Sequence, residues 1–331
     1  MNVIKKFFPN VIFIVLTMFT AGCSSSDDEV KPLPKEEYDV QLSFSYEGNW
    51  NIRNASASDP GVSSYIEDYI STGVGRHIIK IYKADEVSSG ATPAVALETD
   101  IPMTSRPYDF TVTVRLQEGN YVVKAWTDFR ESTSESPYYR VTNFSQIMLD
   151  RHSGLTAYQD AFSGSKSFGV SGTLQSASVE VPMTRPVGRY MLIAEDYTEM
   201  LEKTGYSADQ LSVGIAYTGF YPDTYSAITD RLTDSLTGEY YIIKPEVITE
   251  ENALVGADFM LMNSGGSSAT LQIRILNLKG EVIATGETMT IPMNRNEVTI
   301  ISGRFLNIKS GNDGDFGLDT GFDGDINIKP G

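Results

Sequence analysis

Phe110-Thr111-Val112-Thr113-Val114-Arg115-Leu116, then Gln117-Glu118-Gly119-Asn120, then Tyr121-Val122-Val123-Lys124-Ala125-Trp126-Thr127: two runs of β-branched and aromatic residues flank a short polar turn. Such side chains suit a pleated, half-buried surface, and a turn glycine accommodates positive φ. The stretch predicts two strands joined as a tight hairpin. Trp126 falls on the second of them and reads as a core anchor rather than a ligand platform.

The same signature spreads outward in both directions. Val40, Leu42, Phe44 and Tyr46 alternate with Gln41, Ser43 and Ser45, the period of a strand with one buried face. Further strands are expected at His77 to Lys83, Ser171 to Val181, Gly188 to Ala194, Leu211 to Tyr217 and Tyr240 to Lys244. Others are expected at Ala257 to Asn263, Thr270 to Leu278, Val282 to Ala284 and Glu297 to Leu306. Asn277-Leu278-Lys279-Gly280 turns the chain between two of these. One short helix is expected from Asp196-Tyr197-Thr198-Glu199, an acid-capped box, to Gly205. Ser56 to Ser64 reads as a loop, and no fixed-period repeat is visible. Many short strands and few helices indicate an all-β chain built of β-sandwiches. Arg185-Pro186 punctuates the middle, which sets one sandwich at 39–184 and a second at 185–331. In the tail, Ser310 to Gly324 reads as a Gly/Asp-rich leash, followed by a short alternating strand.

The N-terminus carries a different kind of information. Lys5 and Lys6 precede an apolar run from Val11 to Phe19, and Ala21-Gly22 supplies small residues before Cys23. A basic start, a short apolar core and a small pair make a signal peptide over 1–22, too short to span a bilayer comfortably. Cys23 is the single Cys of the chain, and its place reads as a lipobox: cleavage between Gly22 and Cys23, with a diacylglyceryl thioether on the sulfur. Thr20 stands where such boxes usually carry Leu. Residues 23–38 are polar, acidic and Pro-containing, a solvated tether. The run Ser24-Ser25-Ser26-Asp27-Asp28-Glu29 resembles the surface-export signal of Bacteroidetes lipoproteins. The expected address is the outer membrane, exposed at the surface and held by acyl chains.

Composition narrows the chemistry. After residue 22 the chain holds 24 basic and 43 acidic side chains, a balance opposed to nucleic-acid partners. With no Cys beyond position 23, disulfides and thiolate chemistry are not expected. The only His residues are His77 and His152, and neither has the partner spacing of a nucleophilic triad. No Gly-x-Ser-x-Gly elbow and no phosphate-binding Gly-Lys-Ser/Thr loop occurs. Asn312, Asp313, Asp315, Asp319, Asp323 and Asp325 offer oxygens, but their spacing fits no EF-hand, so they read as a solvated linker rather than a metal site. No catalytic residue, metal or cofactor is expected, and the chain is read as a non-enzyme. Tyr217, Phe220, Tyr221 and Tyr225 cluster closely; such residues either pack sandwich edges or, on exposed loops of the second domain, stack on sugars.

Four segments carry a family resemblance. Leu116 to Asp128 resembles the hairpin of the fimbrillin-like lipoproteins of Bacteroidales, with its Leu-x-x-Gly-x-Tyr turn and Ala-Trp-x-Asp. Asp160-Ala161-Phe162 is similar to the family's Asp-Ala-Phe segment. Val181-Pro182-Met183-Thr184-Arg185-Pro186-Val187-Gly188-Arg189 is similar to its interdomain strand. Asn294-Arg295-Asn296-Glu297-Val298-Thr299, with Gly303 and Leu306, is similar to a late strand. The resemblance implies two tandem transthyretin-like β-sandwich domains and a structural or adhesive role in a fimbria. Partners would be other fimbrial subunits, with host or bacterial surface ligands. In that family, shaft subunits lose an N-terminal strand to a protease cutting after Arg or Lys, and a neighbour's strand fills the groove. Mapped here, the removable strand is Val40 to Tyr46, the cut falls near Arg53, and the donor is Asp325-Ile326-Asn327-Ile328-Lys329. Ile326 and Ile328 are few for a groove vacated by four apolar side chains. An anchor or accessory role, monomeric until cut, therefore fits better than a shaft role. The alternative is a glycan-binding surface lipoprotein.

Overall fold

In the computed structural model of the chain, the described residues are 36–48, 50–54, 73–88, 90–103, 109–150, 156–172, 176–306, 308–310 and 316–318. Cys23, His152, the loop at 56–64 and the strand at 325–329 lie outside them. Nearly all the regular elements of the described chain are strands, arranged as sandwiched sheets.

The first half is dominated by one seven-stranded sheet. Its order is β4 (Val95–Met103), β3 (Gly73–Lys83), β6 (Gly119–Arg130), β9 (Ala161–Val170), β10 (Ser176–Thr184), β1 (Glu37–Tyr46) and β5 (Asp109–Gln117). The sheet doubles back on itself at its weakest seam. There β9 and β10 share only the pairs Met183–Gly164 and Thr184–Ser163. A Cβ on Gly164 would lie 2.3 Å from the Met183 sulfur, so only glycine lets the two strands cross so closely. Folding there sets β10-β1-β5 against β4-β3-β6-β9 and encloses a core that includes Val40, Leu42, Phe44, Ile79, Ile81, Val123 and Phe162.

The expected hairpin at Gly119 is not one. β5 pairs with β1, while both edges of β6 are taken by β3 and β9. The turn carries the chain from one layer of the sandwich to the other. Gly119 does adopt positive φ, at 156°, which suits a sharp corner as well as a hairpin. By contrast, the turn at Asn277 to Gly280 does join neighbours, β18 (Ser267–Asn277) and β19 (Val282–Met293), with Gly280 at φ 77°.

The second half contains a five-stranded sheet ordered β16 (Glu246–Val247), β17 (Ala253–Leu261), β11 (Val187–Ala194), β20 (Glu297–Gly303) and β2 (Asn51–Asn54). Its facing sheet is β15 (Tyr240–Ile243), β12 (Leu211–Tyr217), β18 and β19. β11 and β17 are buried along their whole length. On β11, Tyr190, Leu192 and Ala194 enter the core between these two sheets, while Val187, Met191 and Ile193 enter a third core on the other side. A strand covered on both faces loses its polar alternation, which is why 187–194 reads as an almost continuous apolar run.

The helix α1 (Tyr197–Thr204) ends at Gly205 in the left-handed region, φ 69°. Its start differs from the expected capping box. Asp196 makes no side-chain cap; its carboxylate instead accepts the Leu306 backbone N–H at 3.0–3.2 Å, and Glu199 pairs with Lys203 and Arg304. Within the tail, β21 (Ile308–Ser310) and β22 (Phe316–Leu318) form a small antiparallel pair, so the stretch expected as a leash contributes a strand.

The sandwich limits expected at 184/185 are crossed twice. β2 joins the second half's sheet beside β20. β7 (Tyr139–Asn143) and β8 (Gln146–Leu149) join β13 (Phe220–Ser226) and β14 (Arg231–Thr237) in a four-stranded antiparallel sheet. The third core accordingly combines Trp50, Ile78, Trp126, Tyr139, Phe144 and Ile147 with Tyr225, Phe259, Val298 and Ile300.

Candidate functional site at the joint between the halves

All four segments that carry the sequence resemblance converge on this third core. Arg185 occupies the short link between β10 and β11 and is 1% exposed. Its Nε lies 3.1 Å from both oxygens of Asp160, and Nη1 donates to the Gly48 carbonyl at 2.7 Å and to Asn296 Oδ1 at 2.6 Å. The guanidinium lies over the rings of Trp50 and Phe162, 4.4 and 4.5 Å from their centroids. Glu47 accepts the Arg185 backbone N–H at 2.9 Å. A buried charge is tolerated only when paired and hydrogen-bonded, and this one draws partners from three separate stretches of chain.

A second pairing lies beside it. Arg76 donates to Asp128 through Nε at 2.9 Å and Nη2 at 2.5 Å, and the Trp126 indole donates to the same carboxylate at 2.9 Å. Burial pushes the Asp128 carboxyl up, against the pull of Arg76 and Trp126. Trp126 packs edge-on against Tyr139, 5.3 Å between centroids, and near Tyr225 at 5.9 Å. Tyr225 donates to Asp230 at 2.5 Å, and Arg295 reaches the same oxygen at 2.7 Å. The reading of Trp126 as an internal anchor therefore holds.

The joint continues into β1. Its Val40, Leu42, Phe44 and Tyr46 are buried, with β10 parallel on one side and β5 antiparallel on the other. The Tyr46 hydroxyl lies 2.8 Å from Nδ1 of His77 and 3.0 Å from the Thr127 hydroxyl. His77 is 2% exposed, and burial lowers its pKa to about 4. It stacks on Phe110, centroids 4.7 Å apart. Its polar contacts are thus with hydroxyls of the core, not with a nucleophile and an orienting carboxylate.

Arg53, the candidate cleavage residue, sits inside β2, where the pairs run from Asn51–Glu297 to Asn54–Ile300. Its Nε is 3.0 Å from the Glu297 carboxylate. Between residues 36 and 75 it is the sole Lys or Arg. A protease needs an extended, unpaired segment in its cleft, so β2 must peel from β20 before this bond can be cut.

The exposed-loop reading of the tyrosine cluster does not hold. Tyr217, Tyr221 and Tyr225 are buried, and only Phe220, at 75%, is exposed. Tyr217 and Tyr221 donate to Asp258 at 2.7 and 3.2 Å, and Tyr190 bonds both Tyr217 and Tyr241 at 2.7 and 2.8 Å. Four hydroxyls thus gather around one internal carboxylate, a satisfied polar network rather than a sugar platform. Residue spacing alone did not mark Asp258 or Arg76. The available signal was a charged residue inside an otherwise apolar strand, as in Gly73–Lys83, which demands a partner.

Among the described residues no group of three or more His, Cys, Asp and Glu side chains could hold a metal ion. Asn312, Asp313, Asp315, Asp319 and Asp323 fall outside them, as do Gly22, Cys23 and Asp325 to Lys329. No described helix is long and apolar enough to cross a membrane.

The chain is similar to several solved structures. The fimbrial anchor protein Mfa2 from Porphyromonas gingivalis is 8% identical, with 86% of this chain and 95% of that one covered at a TM-score of 0.43. A proposed adhesin from Bacteroides ovatus is 11% identical, covering 85% and 91%, at 0.45. A fimbrial assembly protein from Parabacteroides distasonis is 11% identical, covering 81% and 92%, at 0.38. No curated protein matches the chain. Residues 33–330, spanning the strands and the joint described above, match one family model, and the chain belongs to that family, described as a family of unknown function (DUF6562).

Proposed function

We propose that the chain is a cell-surface lipoprotein, held at the outer membrane through a lipidated Cys23, that serves a fimbria as an anchor or accessory subunit. It acts by strand pairing and surface contact and performs no chemistry on a substrate. One observation carries the reading: β1 lies directly after the tether as a separable insert, yet the one basic residue that could release it, Arg53, is tied into β2. Asp39 to Ser45 of β1 pair on both sides, and the strand contributes four alternating apolar side chains to the core. A strand so placed is the element that complementation replaces. Its protected exit favours a subunit that keeps its strand and stays on its lipid.

The test is to purify the lipidated chain and follow it by size exclusion and mass spectrometry before and after a trypsin-like protease. The expected result is a diacylglyceryl-modified, monomeric chain that keeps β1 under conditions where loops are cut. Ladders of oligomers without any cleavage, or a native chain with a bare thiol at Cys23, would contradict the proposal.

A further inference from the structure

The sheet β15-β12-β18-β19 has one face in the core and one face outward. Two adjacent rungs cross the outer face: Tyr240 opposite Ala216 opposite Gln272, and Ile242 opposite Gly214 opposite Arg274. Tyr240 and Ile242 are 39% and 52% exposed. A Cβ on Gly214 would lie 2.6 Å from the Tyr240 hydroxyl and 2.7 Å from its Cε2. The missing side chain lets the tyrosine recline across the sheet, its hydroxyl end directed at the strand that carries Arg274. Burial raises the Tyr240 hydroxyl's pKa while the Arg274 charge lowers it, so the two groups are within electrostatic reach.

Arg274 differs from most of the other described arginines. Among the described side chains its Nε and Nη2 meet only Gln272 Oε1, at 3.4 and 3.3 Å, and no carboxylate there pairs with it. Arg76, Arg130, Arg140, Arg185, Arg295 and Arg304 each have one. In a chain with 43 acidic side chains, an outward-facing guanidinium held by one long amide contact is a receptive anion site. Its fork matches a carboxylate in two-point geometry.

We infer that this face binds a pyranose bearing a carboxylate, with the sugar ring on Tyr240, the acid on Arg274 and a ring hydroxyl on Gln272. An aromatic face offers the apolar side of a sugar a flat contact, and the arginine supplies the charge that selects an acidic ring over a neutral one. Uronic acid chains and sialylated glycans share this chemistry. The site is independent of the buried Tyr217 cluster and of strand complementation.

The experiment is calorimetric titration of the full chain with trigalacturonate, its carboxyl-reduced counterpart and sialyllactose. Tyr240→Phe, Tyr240→Ala and Arg274→Gln are compared after circular dichroism shows each one folded. Saturable binding of at least one acidic sugar is expected, and the preferred one identifies the source. Carboxyl reduction, Arg274→Gln and Tyr240→Ala should each weaken binding at least about tenfold, whereas Tyr240→Phe, which keeps the ring, should stay within about twofold. No saturation by either acidic sugar, equal affinity for the reduced trisaccharide, or unchanged binding by Tyr240→Ala would overturn the assignment.

Discussion

The Arg185 guanidinium nitrogen Nε stands 3.1 Å from both carboxylate oxygens of Asp160, and neither side chain is reached by solvent. Arg185 follows the last strand of the first sheet and Asp160 precedes β9, so the pair ties the inter-half link to the sandwich behind it. Trp50, Gly48 and Asn296 complete the enclosure.

Arg185→Ala leaves Asp160 buried without its principal cation and should lower stability by about 3–5 kcal/mol in urea unfolding. Replacing both partners by apolar residues of similar volume, Arg185→Met with Asp160→Leu, should lose less than the two single losses combined. A single-mutant loss below about 1 kcal/mol would mean that the joint does not depend on the pair.

The third core should make the halves unfold together. Trp50 and Trp126 are the two tryptophans of the chain and both lie in it. Indole fluorescence therefore reports the joint, while far-ultraviolet circular dichroism reports all sheets. The two curves should coincide in denaturant. An earlier fluorescence transition would show that the joint parts before the sheets melt.

Trypsin cleavage after Arg53 requires β2 to open. Glu297→Ala removes the 3.0 Å ion pair that helps hold it and should speed that cut several-fold without changing global stability by more than about 1 kcal/mol. Leu42→Ala, in the buried row of β1, should cost about 2–5 kcal/mol and speed the same cut further. Identical cleavage rates in all three chains would place the rate-limiting opening elsewhere.

His77 supplies a pH signature. Burial lowers its folded pKa to about 4 from the ordinary 6.5. Between those values the unfolded chain binds more protons, so stability rises with pH there and is lost as pH falls from about 6.5 toward 4. The contribution approaches about 3 kcal/mol, to order of magnitude. Buried carboxyls with raised pKa, such as Asp196, act in the opposite sense, so the measurement is the difference between the wild type and His77→Asn across this window. Parallel curves would remove His77 as the source.

The alternation at Val40 to Tyr46 was legible because period two states which face a residue occupies. The cap at Gly205 and the turn at Gly280 were legible because left-handed backbone selects glycine locally. The failure at Gly119 follows from the same logic. A turn glycine announces a reversal or a corner but not the neighbour beyond it, and here β3 and β9 had already claimed both edges of β6.

The candidate site divides along the same line. Asp160, Phe162, Arg185 and Asn296 are visible as recurring short segments, but nothing in their spacing places them around one guanidinium. The cluster Tyr217, Phe220, Tyr221 and Tyr225 reads as packed edge or exposed platform from spacing alone, and the structure decides it: Asp258 takes the hydroxyls of Tyr217 and Tyr221 inside the core.

By itself the sequence determined the all-β character, the buried face of Val40 to Tyr46 and the acidic charge, since these are read from residue types and their local spacing. Only the tertiary structure decided that residues 50–54 and 139–149 belong with the second half, that Arg53 is shielded, and that Tyr240 lies open beside Arg274. Strand partners and burial are set by competition among distant edges for the same hydrogen bonds, and that competition leaves no local mark on the chain.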